Sequence, residues 1–124
     1  MPEMDYVWLP RQDILEFEEI GRLVDVFTTA GVDRLRLTGG EPLVRRDLQN
    51  LVRILASKSK IRDLALTTNG VLLEEQAGAL RDAGLHRVTI SLDTLQRDRF
   101  RALTRFDELP RVLAGIRAAS SLGF

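Results

Sequence analysis

The sequence predicts an α/β fold in which parallel strands alternate with helices. Three observations carry this. Short apolar or alternating runs at Arg34–Thr38, Leu64–Thr67 and Val88–Leu92 read as strands. Between them lie longer segments with apolar residues every three or four positions, which read as helices. No hairpin turn joins two strand runs, so each chain reversal must pass through a crossover helix, and crossovers place neighbouring strands parallel. The strand ends recur at close to the roughly 30 residues of a strand–helix–strand unit.

The elements follow in order. Residues 1–13 contain Pro2, Trp8 and Pro10 with no clear period and read as irregular. Ile14, Phe17, Ile20, Leu23, Val24 and Phe27 recur at helical spacing, and Gly31 is a stop, giving a helix from about Glu16 to Ala30. Glu18 and Glu19 fall in its first turn, where carboxylates complement the helix dipole. The strand at Arg34–Thr38 runs into Gly39-Gly40-Glu41-Pro42. Asp47 is placed to cap a helix over about 48–58, whose buried stripe is Leu48, Leu51, Val52 and Leu55. The second strand exits at Thr68-Asn69-Gly70. A third helix carries Leu73, Ala77, Leu80 and Ala83 and stops at Gly84. The third strand exits at Ser91 and Asp93. A short helix over Gln96–Thr104 and a last one through Leu109, Val112, Leu113, Ile116 and Ala119, closed by Gly123, complete one domain over 1–124.

Composition excludes several classes. With 18 basic and 18 acidic residues among 124, the formal net charge is +0, which gives no support for nucleic acid or an anionic membrane as a bulk partner. No apolar run approaches the roughly 18 residues of a membrane span. No signal-peptide pattern opens the chain. The cysteine count is 0, so no disulfide or thiolate metal site forms within these residues. A cytoplasmic location is the default expectation.

Chemistry concentrates at the three strand ends. In parallel α/β sheets the carboxyl ends of neighbouring strands share one face, and ligands bind there. Thr38-Gly39-Gly40-Glu41, Thr67-Thr68-Asn69-Gly70, and Ser91 with Asp93 therefore converge. The two glycines let a ligand approach the backbone, because neither carries a Cβ. Pro42 restricts Glu41 to extended geometry. Glu41 and Asp93 suit an ammonium group or ribose hydroxyls; Arg36 suits a polyanion or a base edge. The competing readings are a plain turn with Glu41 solvated, and polar residues that merely cap the following helices. For His86, the single histidine, an ordinary loop role is favoured. A solvated pair is favoured for Arg45 and Arg46, and packing for Tyr6 and Trp8.

Thr38-Gly39-Gly40-Glu41-Pro42 resembles the TGGEP motif of radical S-adenosylmethionine enzymes. Met1-Pro2-Glu3, Trp8-Leu9-Pro10-Arg11, the continuation Leu43-Val44-Arg45-Arg46-Asp47-Leu48, Thr67-Thr68-Asn69-Gly70 and Ser91-Leu92-Asp93 narrow the resemblance to the GTP 3′,8-cyclase family of molybdenum cofactor biosynthesis. The resemblance extends over essentially all 124 residues. It implies a fragment of a partial (β/α)6 TIM-type barrel, with about three of its parallel strands and their flanking helices. By this resemblance Gly40 and Ser91 contact S-adenosylmethionine, and Glu41 supports its amino group. Arg36 and Thr67 contact GTP. Gly39, Asn69 and Asp93 lie in matching motifs.

The same resemblance implies lyase chemistry. A 4Fe–4S cluster cleaves S-adenosylmethionine reductively, and the resulting radical starts cyclisation of GTP. The family's cluster cysteines would precede Met1 and its later strands would follow Phe124, so the resemblance implies a chain truncated at both ends and inactive alone. Exposed sheet edges imply self-association, and the family is homodimeric. A non-catalytic nucleotide-binding remnant, or another TGGEP maturase, are the alternatives. One departure is mild: Glu16 stands where the family has a Thr cap, at under about 1 kcal/mol.

Overall fold

The computed structural model describes Val7 and residues 9–124. The readings of Tyr6 and Trp8, and of residues 1–6 as irregular, lie outside the described residues. The elements are α1 (Phe17–Thr29), β1 (Arg34–Leu37), α2 (Leu48–Ala56), β2 (Asp63–Thr68), α3 (Leu73–Ala83), β3 (Arg87–Ile90), α4 (Arg97–Thr104) and α5 (Leu109–Ser121). The sheet order is β1-β2-β3, with both pairings parallel. Arg36 lies opposite Ala65, Ala65 opposite Arg87, and Thr67 opposite Thr89.

The alternation of side chains along a strand gives this sheet two unlike faces. Leu35, Leu37, Leu64, Leu66, Val88 and Ile90 point into one core with Val24, Leu51, Val52, Leu55, Leu73, Ala77 and Leu80 from the helices. Leu64, Leu66, Val52 and Leu73 are fully covered. Arg34, Arg36, Asp63, Ala65, Thr67, Arg87 and Thr89 line the opposite face, where the arginines and Thr89 are exposed. A smaller core of Phe100, Leu109 and Val112 joins α4 to α5 and reaches Val71, Ile90 and Leu92. At Gly115, an added Cβ would lie 2.7 Å from the Gly70 carbonyl oxygen and 3.0 Å from Leu73 Cβ, so α5 sits directly on the entrance to α3.

Local chemistry explains the boundaries and the departures from expectation. Residues 10–13 are not irregular: Pro10 caps a single 3-10 turn, Arg11–Asp13. At the start of α1 the Glu16 amide donates to the Glu19 carboxylate at 2.7 Å, the reciprocal half of a capping box. Asp47 stands at the N-cap of α2, but in left-handed geometry (φ 58°) with no side-chain cap bond. Its carbonyl accepts from the Asn50 amide at 2.9 Å instead, and the short polar side chain tolerates that backbone. Several elements end earlier than expected: α1 at Thr29, β1 at Leu37, α2 at Ala56 and β3 at Ile90, the last leaving Ser91 and Leu92 beyond the strand.

Candidate functional site at the carboxyl ends of the strands

β1 breaks at Thr38 because the next residues cannot continue it. Gly39 adopts φ 139°, a region that favours glycine. A Cβ at Gly39 or Gly40 would meet nothing within 4 Å, so open space lies against both residues. Pro42 then starts a 3-10 turn, Pro42–Val44, which the strand pattern does not reveal.

The Glu41 carboxylate is half-buried and turned back onto the protein. It accepts hydrogen bonds from the Leu43 amide (3.2 Å), the Thr68 hydroxyl (2.5 Å) and the Asn69 amide (2.7 Å). The solvated reading of Glu41 therefore fails. Thr68, 2% exposed, is the hub. Its hydroxyl donates to Glu41 and accepts from the Gly70 amide at 3.1 Å. Its carbonyl accepts from the Ser91 amide at 2.9 Å. All three strand ends are thereby joined through one residue. Gln76 on α3 adds a bond to the Leu43 carbonyl at 2.9 Å.

The helix-capping alternative holds only for Glu41, which caps the 3-10 turn Pro42–Val44 through the Leu43 amide. The N-caps of α3 and α4 are Leu72 and Gln96, not the polar residues at the strand ends. Asn69 uses its side-chain oxygen to accept from the Val71 amide at 3.0 Å, a closed Asx turn. Ser91 and Asp93 are exposed.

A cavity of about 350 Å³ opens here. Its polar wall is Glu41, Asn69, Ser91, Asp93, Thr104 and Glu108, and its apolar wall is Val44, Val71, Leu72, Phe100 and Phe106. The wall carries three carboxylates and no basic side chain, a setting for a cationic ligand with an apolar body.

Arg36 and Thr67 lie elsewhere. They stand on the uncovered sheet face, outside the lining of this cavity. Arg36 Nη1 donates to Thr67 Oγ1 at 2.8 Å and to Thr89 Oγ1 at 3.0 Å. Nearer the strand starts, Arg87 pairs bidentately with Asp63, its Nε 2.9 Å from Oδ1. That hydrogen bond, with the Arg87 and Arg34 charges, holds the Asp63 carboxyl below its usual range; the same bond and the Asp63 charge raise Arg87 above its own. The sequence reading placed Thr68 among the converging strand ends without giving it a role, and missed Thr89. The doubled Thr of Thr67-Thr68 and the two-residue offset of Thr89 from Ser91 are the signals that could have found them.

One bland reading also changes. Arg45 is not solvated: it donates to the Leu15 carbonyl and stacks 4.6 Å from the Phe17 ring centroid, whereas Arg46 is 95% exposed. His86 lies in the loop before β3, as expected, and is tied to β2 there, its Nδ1 accepting from the Leu64 amide at 2.9 Å while its own amide donates to Leu64 O at 3.0 Å. Among the described residues no group of three or more His, Cys, Asp or Glu side chains is placed to hold a metal ion. No helix among them is long and apolar enough to cross a membrane.

Comparison with known proteins accords with this layout. The chain is 52% identical over its whole length to GTP 3′,8-cyclase 1 of Mycobacterium tuberculosis. It is 55% identical over 97% of its length to GTP 3′,8-cyclase of Acidothermus cellulolyticus, and 52% identical over 97% to that of Ectopseudomonas mendocina. It spans 36%, 33% and 36% of those relatives. The Radical SAM superfamily profile matches residues 4–124. With parallel strands, crossover helices and a glycine-lined strand exit, a match over nearly the full chain makes this protein a member of the Radical SAM superfamily.

Proposed function

We propose that the chain supplies part of the S-adenosylmethionine and GTP sites of a GTP 3′,8-cyclase in molybdenum cofactor biosynthesis. The observation that carries this is the division of the strand-end residues into two sites of different chemistry. Glu41, Asn69, Ser91 and Asp93 meet at an acidic, apolar-walled cavity, while Arg36 and Thr67 share the uncovered sheet face.

The cavity fits S-adenosylmethionine. Gly39 and Gly40 precede Glu41 and stand outside the cavity lining, with open space against their backbone for a ligand that extends past it; Ser91 and Asp93 offer a hydroxyl and a carboxylate to ribose hydroxyls. Glu41 acts mainly on its own loop, holding the glycine exit against β2. S-adenosylmethionine, when bound, supplies the radical chemistry of the superfamily. The 4Fe–4S cluster is different: these 124 residues contain 0 cysteines, and a cluster needs thiolates, so they do not fit it and no step is assigned through it. Arg36 provides guanidinium donors, and Thr67 a hydroxyl, to a guanine edge or phosphate. Self-association and a cytoplasmic location go with this reading.

The test is titration of the 124-residue chain with each ligand, followed by heteronuclear NMR. S-adenosylmethionine should perturb Gly40, Glu41 and Ser91, and GTP should perturb Arg36 and Thr67. A few charge-assisted hydrogen bonds of roughly 1.5–3 kcal/mol each, set against the freedom lost on binding, put both affinities at about millimolar or weaker. Perturbations centred on α1 or α5, or the same residues responding to both ligands, would sink the reading. Under reducing, anaerobic conditions with iron and sulfide, the chain should form no 5′-deoxyadenosine. Product above a protein-free control that depends on Gly40 would overturn the statement about the cluster.

A further inference from the structure

We infer that Thr89 is a positioning residue for Arg36, fixing the guanidinium through which the uncovered sheet face meets a nucleotide. The inference rests on the GTP reading above. Arg36 rises from an exposed face where no helix packs against it. A long arginine there would sample many rotamers. Instead one nitrogen, Nη1, is held by two hydroxyl oxygens on two strands, Thr67 at 2.8 Å and Thr89 at 3.0 Å. Thr67 and Thr89 face each other in register, so the pair forms a two-point clamp one step further along the sheet than Arg36. Ala65, which lies between Arg36 and Arg87 in register, has no side chain long enough to obstruct that reach.

The consequence is directional. A guanidinium is a rigid planar fork. Two acceptors on Nη1 use both of its protons and fix the plane, leaving Nη2 and Nε for a bidentate ligand contact. The ordering of the side chain is then met before the nucleotide arrives, which is how preorganisation raises affinity. Thr67 is expected to touch the nucleotide as well, so its removal would confound two effects. Thr89 is assigned to act through Arg36, and the double variant below separates that role from a direct contact. An exposed hydroxyl on a strand adds little to folding, and valine keeps the β-branched shape.

GTP is titrated by NMR into the wild-type chain and into Thr89→Val, Thr89→Ser, Arg36→Ala and the Arg36→Ala/Thr89→Val double variant. Thr89→Val should weaken GTP binding roughly three- to tenfold, and Thr89→Ser should bind within about twofold of wild type because it keeps the acceptor. In the Arg36→Ala background, Thr89→Val should change nothing further. Unaltered binding by Thr89→Val, or an equal loss with and without Arg36, overturns the inference. The ligand-free arginine spectrum gives a second readout: the Arg36 Nη1 signals should be resolved in wild type and Thr89→Ser and exchange-averaged in Thr89→Val. If Arg36→Ala leaves GTP binding unchanged, the GTP reading falls, and the ligand-free spectrum still decides the clamp. Identical spectra for wild type and Thr89→Val overturn it.

Discussion

Thr68 has more consequences than any other single side chain in the described structure. Its hydroxyl accepts from the buried Gly70 amide and donates to a carboxylate on another strand's exit. Thr68→Val should therefore leave a buried amide unpaired and remove one donor from Glu41. The expected loss is roughly 1–3 kcal/mol of unfolding free energy, measured by urea denaturation, with Thr68→Ser recovering most of it. A loss of a few tenths for valine would count against the hub. The sequence made Glu41 visible as an acid after two glycines, but could not reveal where it turns. That depends on Thr68, 27 positions away along the chain, and pairings across such separations leave no local pattern. Arg45 was misread for the same reason, since its partners Leu15 and Phe17 lie just before and at the start of α1, far back along the chain.

At the scale of elements, helices and strands were legible because their apolar periods match the faces they bury. The 3-10 turn at Pro42–Val44 and the early end of β3 were not: the turn is held by short-range bonds to Glu41 and Pro42 that leave no apolar period, and Ser91 and Leu92 keep the apolar–polar alternation past the strand's end. Two glycines test the packing of helices. Gly78 in α3 has open space around an added Cβ, so Gly78→Ala should stabilise by about 0.5–1 kcal/mol through helix propensity. Gly115 has the Gly70 carbonyl at 2.7 Å, so Gly115→Ala should destabilise by about 1–3 kcal/mol through overpacking. Thermal denaturation showing the opposite order would contradict the α3–α5 packing. Between strands, the Asp63–Arg87 pair gives a pH signature. The folded Asp63 carboxyl lies below its unfolded value, so its contribution is complete above about pH 5 and lost as pH falls through the carboxylate range. The stability gap between wild type and Arg87→Gln should be constant from pH 7 to about 5 and narrow below that. A gap that widened on acidification would reverse the sign argued here.

Across the whole molecule, helices cover one face of the sheet and leave the other to arginines and threonines. Among the described residues β1 and β3 also have unpaired outer edges, and Val26, Val44, Leu95, Leu103 and Phe106 are each more than half exposed. Open edges and scattered apolar surface favour association of copies. Light scattering at tens of micromolar should report species heavier than the 14.0 kDa monomer, and a sharp monomeric peak would contradict this. The division into an acidic cavity and a basic face was not legible as two places, because the sequence shows only that polar residues end each strand. The stitching of the three exits through Thr68 also has a kinetic side. Asn69 and Ser91 are exposed, yet their amides are bonded into the network that holds Glu41 and Thr68. Backbone deuteration there should not follow exposure: the amides of Leu43, Asn69, Gly70 and Ser91 should exchange with one shared opening free energy, as a single foldon spanning three loops.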